Sequence, residues 1–568
     1  MLRRLPAMFL MLALLAGLFS GCTTEPLEPD PALSETVESD EIIEIEIDLP
    51  EDETVEVSNR LSDVGIAWQS TESLHPYTTQ SITNQMIISL LYESLFVVSS
   101  SFEAQPLLCK AFSVSEDSKV WHFELRNDIV FSDGTPITAD DVVASLNAAQ
   151  NSALYKTRFD VVSSIRADGT DAFIVWLKTA CENLPLLLDI PIVKGSTVSR
   201  DIPTGSGPYV CSGEALVQNQ NWWQDIEPKV DAQVIDFVEA NDAQSVRNAF
   251  EFGGADLSYT DPCATSVADY HCDYELWSGP TTVMQYIGFN QSSNYFFSST
   301  LRGGVTYAVD RETIISDIYG GFGLAATLPC SPLSQVYDSA LASSYTYSPG
   351  SFQACLSASG ILPDPAKPVN FIVSSSSSKR IEAAYKIADE LNDLGLYVKV
   401  NVLDEENFRL ALTMGNFDMY LAEIRLSPNF DLRCFFKFAG SACFGLMAND
   451  SLVQLCNRAL ENSGNYYDLF RTVMNRGLIC PIMFKSNALY ASRGIIENHS
   501  PALSNLFAAQ TELTLDDIRS ATPYEAPPEP VATPESNDEE DILAGDTTAG
   551  GVSDIISAET ADPLIPMQ

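Results

Sequence analysis

Between Trp121 and Val142 an alternating aromatic stretch, a tight turn and a helix start follow one another without interruption. Trp121, Phe123 and Leu125 alternate with His122, Glu124 and Arg126, the period of a strand with one buried face. Ile129 and Phe131 resume the alternation after Asn127-Asp128, and Asp133-Gly134 turns the chain. Thr138 is placed to cap a helix whose first turn holds Asp140 and Asp141, where carboxylates favour the positive end of the helix dipole. The stretch predicts a hairpin entering a helix.

A chain of 568 residues exceeds what one hydrophobic core usually supports, so two or more lobes are expected. Its net charge of −46 is unevenly spread. About half of the excess lies in Glu25 to Glu56 and Tyr524 to Asp562, which contain no lysine or arginine and have the composition of disordered segments. The first reads as a tether and the second as a tail with no packing face of its own. Nucleic acid and direct adhesion to anionic lipid are excluded as partners, since both need basic patches.

Arg3 and Arg4 precede an apolar run from Met8 to Phe19, shorter than the roughly 18 residues of a membrane span. It reads as a signal peptide. Its end, Leu18-Phe19-Ser20-Gly21-Cys22, resembles a bacterial lipobox, with Phe19 in place of the usual leucine. The resemblance makes Cys22 the site of lipidation and the first mature residue. Two or three lipid chains at roughly 0.8 kcal/mol per buried methylene would hold the protein on the outer face of a bacterial membrane.

The run Trp121-His-Phe-Glu-Leu-Arg126 through Phe131-Ser-Asp-Gly-Thr-Pro136-Ile-Thr-Ala-Asp-Asp-Val142 closely resembles the signature of the family 5 extracellular solute-binding proteins, the oligopeptide, dipeptide and nickel receptors of ABC importers. Other blocks extend the resemblance to about Asp63 to Leu506. Leu90-Leu-Tyr92-Glu93-Ser-Leu95-Phe96 looks like the end of the family's first helix. Thr204-Gly-Ser-Gly-Pro208-Tyr209 resembles its glycine turn into a strand, and Asn219-Gln-Asn221-Trp222-Trp223 the asparagine and aromatic pair that follows. Tyr286-Ile-Gly-Phe289-Asn290, Leu301-Arg302 and Ala308-Val-Asp310-Arg311-Glu312 resemble the next block, closed by Gly320, Gly321 and Gly323.

The resemblance implies an α/β, two-lobed, periplasmic-binding-protein-like fold of type II, cluster C, with an extra subdomain in the first lobe. The expected divisions are a signal peptide (1–21), a tether (22–56), lobe I (57–105), its insertion subdomain (106–202), lobe I again (203–285), lobe II (286–484), a return to lobe I (485–520) and the acidic tail (521–568). The second lobe is also legible from pattern alone. Val369 to Val373 reads as a strand, Lys379 to Leu394 as a helix with Ala384, Ile387, Ala388 and Leu391 on one face, and Gly395 as its stop. Val398, Val400 and Val402 alternate as a strand, Asn407 to Met414 looks helical, and Phe417 to Leu421 starts another strand. That order implies a partly parallel sheet.

No catalytic set emerges. Of the four histidines, His75, His122, His271 and His499, none has the spacing of a zinc peptidase or a close cysteine partner, so neither a metal nor a cofactor is expected. Gly205-Ser206-Gly207 lacks the Gly-x-Ser-x-Gly spacing of a nucleophile elbow. The chain therefore reads as a binding protein and not an enzyme. Removing Cys22 leaves eleven of the twelve cysteines, an odd number. Cys263 with Cys272 and Cys434 with Cys443 are close enough to close small disulfide loops, while buried apolar thiols are the competing reading.

The resemblance further implies a small solute, a short peptide first, captured between the lobes of a monomer and handed to an ABC permease with its ATPase subunits. An oligosaccharide stacked on Trp222 and Trp223, a nickel complex, and a non-transport sensing or surface-interaction lipoprotein are the alternatives. Peptide-binding members place an aspartate after the strand that begins at Phe417. Here that position holds Ser427, with Ile424 where a tryptophan is usual. Glu423 or Asp431 then supplies the carboxylate and Arg425 takes a ligand carboxylate, or Glu423 and Arg425, two apart on one strand face, pair with each other or with the other lobe. Tyr77, Tyr92 and Trp223 are the candidate aromatic residues of the cleft, with core or rim packing as the competing role.

Overall fold

In the computed structural model, residues 64–224, 230, 232–264, 270–496, 502–503, 505–507 and 513–529 are described. The signal peptide, Cys22, the tether and the tail beyond 529 lie outside them.

Trp121, Phe123 and Leu125 bury one face of the strand Val120–Leu125. Each fully buried side chain of this size contributes roughly 1.5–3 kcal/mol. The strand sits inside a four-stranded antiparallel sheet, between Cys109–Val114 and Ala172–Leu177, with Val162–Ala167 outermost. Phe112, Trp121, Phe123 and Phe173 stack through its core. Ile129 and Phe131 do not pair back on Val120–Leu125. They close their own small hairpin instead, with Phe131 N–H donating to Thr135 O at 2.8 Å and Gly134 at φ 79°. The helix Ala139–Gln150 follows, with Thr138 as its N-cap. Asp141 Oδ2 accepts from Thr138 N–H (3.0 Å) and from its hydroxyl (2.6 Å). The other oxygen accepts from Gly195 N–H at 2.8 Å, so the helix start is tied to the far end of the subdomain.

A single eleven-stranded sheet runs through both lobes. On the first side Ile479–Ala491 is followed by Leu257–Thr260, Val64–Trp68, Val234–Glu239, Ala215–Gln218 and Tyr209–Ser212. On the second, Glu275–Phe289 is followed by Met419–Arg425, Val369–Ser374 and Val398–Leu403, while Gly323–Ala325 adds to Ile479–Ala491. The three strands at the second end are parallel to one another, as the alternation of strands and helices requires. The helix Ser378–Asp393, capped by Ser377, buries Ala384, Ile387, Ala388 and Leu391 against them, and Gly395 leaves it at φ 92°.

Among the described residues, the two long antiparallel strands Glu275–Phe289 and Ile479–Ala491 are the ones that run from one lobe to the other. Their pairing is regular from Glu275↔Ala491 to Pro280↔Ser486 and resumes at Met284↔Phe484. Between these points Thr281, Thr282 and Val283 stand against Lys485 alone, and Thr281 Oγ1 donates to Lys485 O at 2.8 Å. Such a bulge bends the ladder and increases its twist, and a second shift falls between Gln285 and Tyr286.

The first helix, Ile82–Leu91, packs against the glycine turn. A Cβ on Gly207 would lie 2.5 Å from Leu90 O, which is why the chain needs glycine before Tyr209. Residues 513–529, which enter the segment read from composition as a tail, lie along the insertion subdomain. Ser520 N–H donates to Phe112 O (2.8 Å), Tyr524 N–H donates to Val114 O (2.9 Å), and the Tyr524 ring stacks on His122 at 4.8 Å. The strand Cys109–Val114 offers an open edge, and backbone pairing to an edge asks for no hydrophobic pattern. Composition therefore gave no sign of it.

Candidate functional site

The lobes meet along one rim. Lys437 Nζ pairs with Asp160 at 2.8 Å, Ser463 N–H donates to Glu182 Oε2 at 2.7 Å, and Gln335 Nε2 donates to Glu103 Oε1 at 2.5 Å. Phe430, held at φ 55°, places its ring 5.0 Å from Phe102 and 5.6 Å from Phe484. Asp160, Glu182 and Glu103 come from the first lobe, and their partners come from the second.

Behind the rim the strand Met419–Arg425 ends at the bulge, with Arg425 opposite Val283. Leu426-Ser427-Pro428 then stops it, since proline cannot donate to the ladder. Glu423 is buried. Its carboxylate lies 3.5 Å from Arg380 and 3.3 Å from Lys485, and Gln285 donates to it at 3.3 Å. Lys485 also pairs with Asp261 of the first lobe, beyond Leu257–Thr260. Burial alone would raise the pKa of Glu423, but Arg380 and Lys485 outweigh it and hold the carboxyl below its ordinary value. Glu423 is thus a member of a buried charge cluster across the lobe junction.

Two residues farther on, Arg425 emerges into solvent and forms no ion pair among the described residues. Protein nevertheless crowds its guanidinium, and this desolvation, together with Arg158, lowers its pKa. Tyr155, Tyr259 and Asp261 of the first lobe are close enough to be felt there. The Tyr155 hydroxyl is pushed up to about 12 by burial, and its ring packs edge-on against Tyr77 at 6.3 Å.

The remaining expected residues are engaged internally. Ser427 Oγ donates to Asn429 Oδ1 at 2.7 Å inside the turn that ends the strand. Asp431 is held by Arg433 at 2.6 Å. Tyr77 is buried, with its hydroxyl donating to Pro191 O at 2.7 Å, and only its ring edge borders Tyr155. Tyr92 is buried under Pro203 and is a core residue. Trp223 turns its indole N–H inward to Glu93 Oε2 at 2.7 Å, while Arg126 covers its ring at 4.5 Å. Trp222 donates to Glu93 Oε1 at 3.2 Å, Gln224 to the same atom at 3.0 Å, and Ser206 to Oε2 at 2.8 Å. The aromatic pair thus cradles a buried carboxylate of the first lobe. An acidic residue inside the apolar run Leu90-Leu-Tyr92-Glu93-Ser-Leu95-Phe96 was the available signal for it. Tyr155 and Arg158 were missed, because they sit in the short helical turn Lys156–Val161 and its lead-in, where no periodicity marks a face.

The cysteines depart from the expected loops. Cys263, Cys272, Cys434 and Cys443 are all free thiols, as is every described cysteine. Cys263 Sγ reaches Phe322 O at 2.9 Å across the junction, and Cys443 Sγ reaches Leu446 O at 3.8 Å, so each is satisfied by a carbonyl instead of a second sulfur. Two surface cavities, of about 360 and 420 Å3, lie between residues 114–118 and 516–523 and beside Arg311 and Tyr337 respectively, and Arg425 lines neither. Among the described residues no helix is long and apolar enough to cross a membrane.

A family model described as bacterial extracellular solute-binding proteins, family 5 Middle, matches residues 103–441. The glutathione-binding protein GsiB of Escherichia coli K12 is 23% identical over 359 residues, covering 58% of this chain and 67% of that protein. Among solved structures, the ABC transporter substrate binding protein CtaP of Listeria monocytogenes superposes with a TM-score of 0.66 at 18% identity, over 78% of this chain and 97% of that one. The oligopeptide-binding protein AppA of Bacillus subtilis, in complex with a nonapeptide, superposes with a TM-score of 0.55 at 17% identity, over 76% and 94%. Both likenesses concern the fold.

Proposed function

Because the chain belongs to the bacterial extracellular solute-binding proteins of family 5, we propose that it is a lipid-anchored receptor which closes its two lobes on a short peptide and delivers it to an ABC permease. The observation that carries this reading is the build of the junction. Two long strands shared by the lobes carry two register shifts, and Arg425, exposed at the end of Met419–Arg425, forms no ion pair among the described residues. A ligand that touches both walls favours the closed state, and a permease reads that difference. The relatives support the ligand class, since glutathione is a tripeptide and the Bacillus protein holds a nonapeptide. Trp222 and Trp223 give no support to sugar stacking, since both indoles are tied to Glu93.

In this reading Cys22 carries the lipid and the acidic segment after it links the anchor to the lobes. The protein acts as a monomer, needs no cofactor and leaves its solute chemically unchanged. Native mass spectrometry of the purified protein, before and after partial denaturation, tests the ligand. A ladder of short peptides released on unfolding is the expected result. A released sugar or metal complex overturns the peptide assignment.

A further inference from the structure

Residues 513–529 form a strap across the insertion sheet, whose strands lie in the order Cys109–Val114, Val120–Leu125, Ala172–Leu177 and Val162–Ala167. On the first strand, Phe112 O and Val114 O accept from Ser520 N–H and Tyr524 N–H. The strap passes the second strand with the Tyr524 ring on His122. It ends on the fourth, where Glu529 Oε1 accepts from the Ser163 hydroxyl at 2.5 Å and from the Ser164 hydroxyl at 3.2 Å. Ser163 stands three residues after Asp160, which forms the rim pair with Lys437 of the second lobe. The strap therefore carries the chain from one outer strand of the subdomain to the other, beside the rim where the lobes meet.

Residues 530–568 continue from that point, with nine carboxylates and no lysine, arginine or histidine. Within them Val552-Ser-Asp-Ile555-Ile556 is an apolar, β-branched stretch free of proline, whereas Leu564-Ile565 lies between Pro563 and Pro566. Proline withholds a backbone N–H, and β-branched residues favour the extended chain, so the first stretch is the one suited to backbone pairing. It is too short to bury its own apolar side chains. A cleft that pairs with extended peptides offers both the backbone partners and the cover. Val552 lies 23 residues beyond Glu529, a distance that a flexible linker spans at roughly 25–30 Å. Such a linker holds its end near a neighbouring site at an effective concentration on the order of 1 mM.

We propose that residues 552–556 occupy the interlobe cleft of their own chain as an internal competitor of the solute, delivered there by the strap. The proposal rests on the peptide-receptor reading, since a cleft that takes peptide backbone is what would take the tail. A stretch with an affinity of only about 0.1 mM, held at about 1 mM, fills the cleft roughly nine-tenths of the time and weakens a competing solute about tenfold. The tail thereby raises the solute concentration needed to load the receptor.

The test compares binding of a pool of tri- to pentapeptides by the full chain, freed of copurifying solute, with binding by three variants. A stop codon after Glu529 keeps every described residue, Ile555→Asp with Ile556→Asp keeps the tail at full length, and Tyr524→Ala loosens the strap. The first two are expected to bind the pool about tenfold more tightly than the full chain, and Tyr524→Ala to fall between. A synthetic peptide of residues 548–560 is expected to compete with the pool on the truncated protein at about 0.1 mM. Equal affinity of all four proteins for the pool overturns the internal competitor and leaves the peptide reading intact. A gain in the truncated protein without one in Ile555→Asp with Ile556→Asp overturns the assignment to residues 552–556. Inhibition that fades when the full chain is diluted places the tail in a second copy and overturns the internal seat. No binding of the pool or of the tail peptide by any of the proteins overturns the peptide reading and this inference with it.

Discussion

Two buried glutamates, one in each lobe, meet the same problem with different partners. Glu93, in the first lobe, accepts hydrogen bonds from Ser206, Trp222, Trp223 and Gln224, all neutral donors. Glu423, at the lobe junction, faces Arg380 and Lys485. Burial dominates at Glu93 and raises its pKa despite the four donors, whereas the two cations win at Glu423 and lower it. Neutral dipoles orient a carboxylate but do not repay its lost hydration, while full charges in the same low dielectric do. The first lobe thereby gains a rigid, self-contained cradle. The junction gains a network that spans the strands shared by the lobes.

The largest effect that would sharpen this contrast is expected from Glu423→Ala, which takes from buried Arg380 its carboxylate partner and leaves Lys485 with Asp261 alone. Removing one side of a buried ion cluster costs about 3–5 kcal/mol, measurable as a fall in urea-unfolding free energy. A loss below about 1 kcal/mol would place the cluster in the class of surface pairs. Glu93→Gln is expected to cost less, about 1–3 kcal/mol, because an amide NH2 then opposes donors that had faced an oxygen. An unchanged stability would mean that Glu93 is already protonated in the folded state.

The pH dependence of the two sites has opposite sign. Glu423, with its folded pKa depressed, contributes stability that is present above the ordinary carboxyl value of about 4.3 and is lost as pH falls through the folded value. Glu93, with its folded pKa raised, contributes stability present below about 4.3 and lost as pH rises through its folded value. Unfolding curves from about pH 3 to 7 should therefore lose an acid-side slope in Glu423→Gln and a rising-pH decline in Glu93→Gln. The same slope change in both variants would break the comparison. The smallest effect is expected from Arg126→Ala, which uncovers the Trp223 ring and removes a cation–π contact of about 0.5–1 kcal/mol. Near-ultraviolet circular dichroism of the tryptophans would report whether the cradle loosens with it.

Much of the scaffold was legible before any coordinates. The alternation at Trp121, Phe123 and Leu125, the cap at Thr138 and the parallel unit from Val369 to Leu421 all became the elements their spacing implies, because local periodicity and capping are set by residues near in sequence. The hairpin at Ile129 and Phe131 was legible only as a turn. Which strand it would join depended on competition for the edges of Val120–Leu125, and Cys109–Val114 and Ala172–Leu177 occupy both.

The site was harder to read. Spacing put Glu423 and Arg425 on one strand face, yet it could not say that Glu423 would be covered by Arg380 and Lys485 while Arg425 would project past the end of the sheet. Nor could it bring Asp160 to Lys437, since the two are far apart in the chain. The sequence by itself determined the family, the strands and helices, and the acidic character of the ends, because each is written in neighbouring residues. Tertiary structure alone decided which charges pair, because burial and partner choice depend on long-range packing that no local pattern encodes.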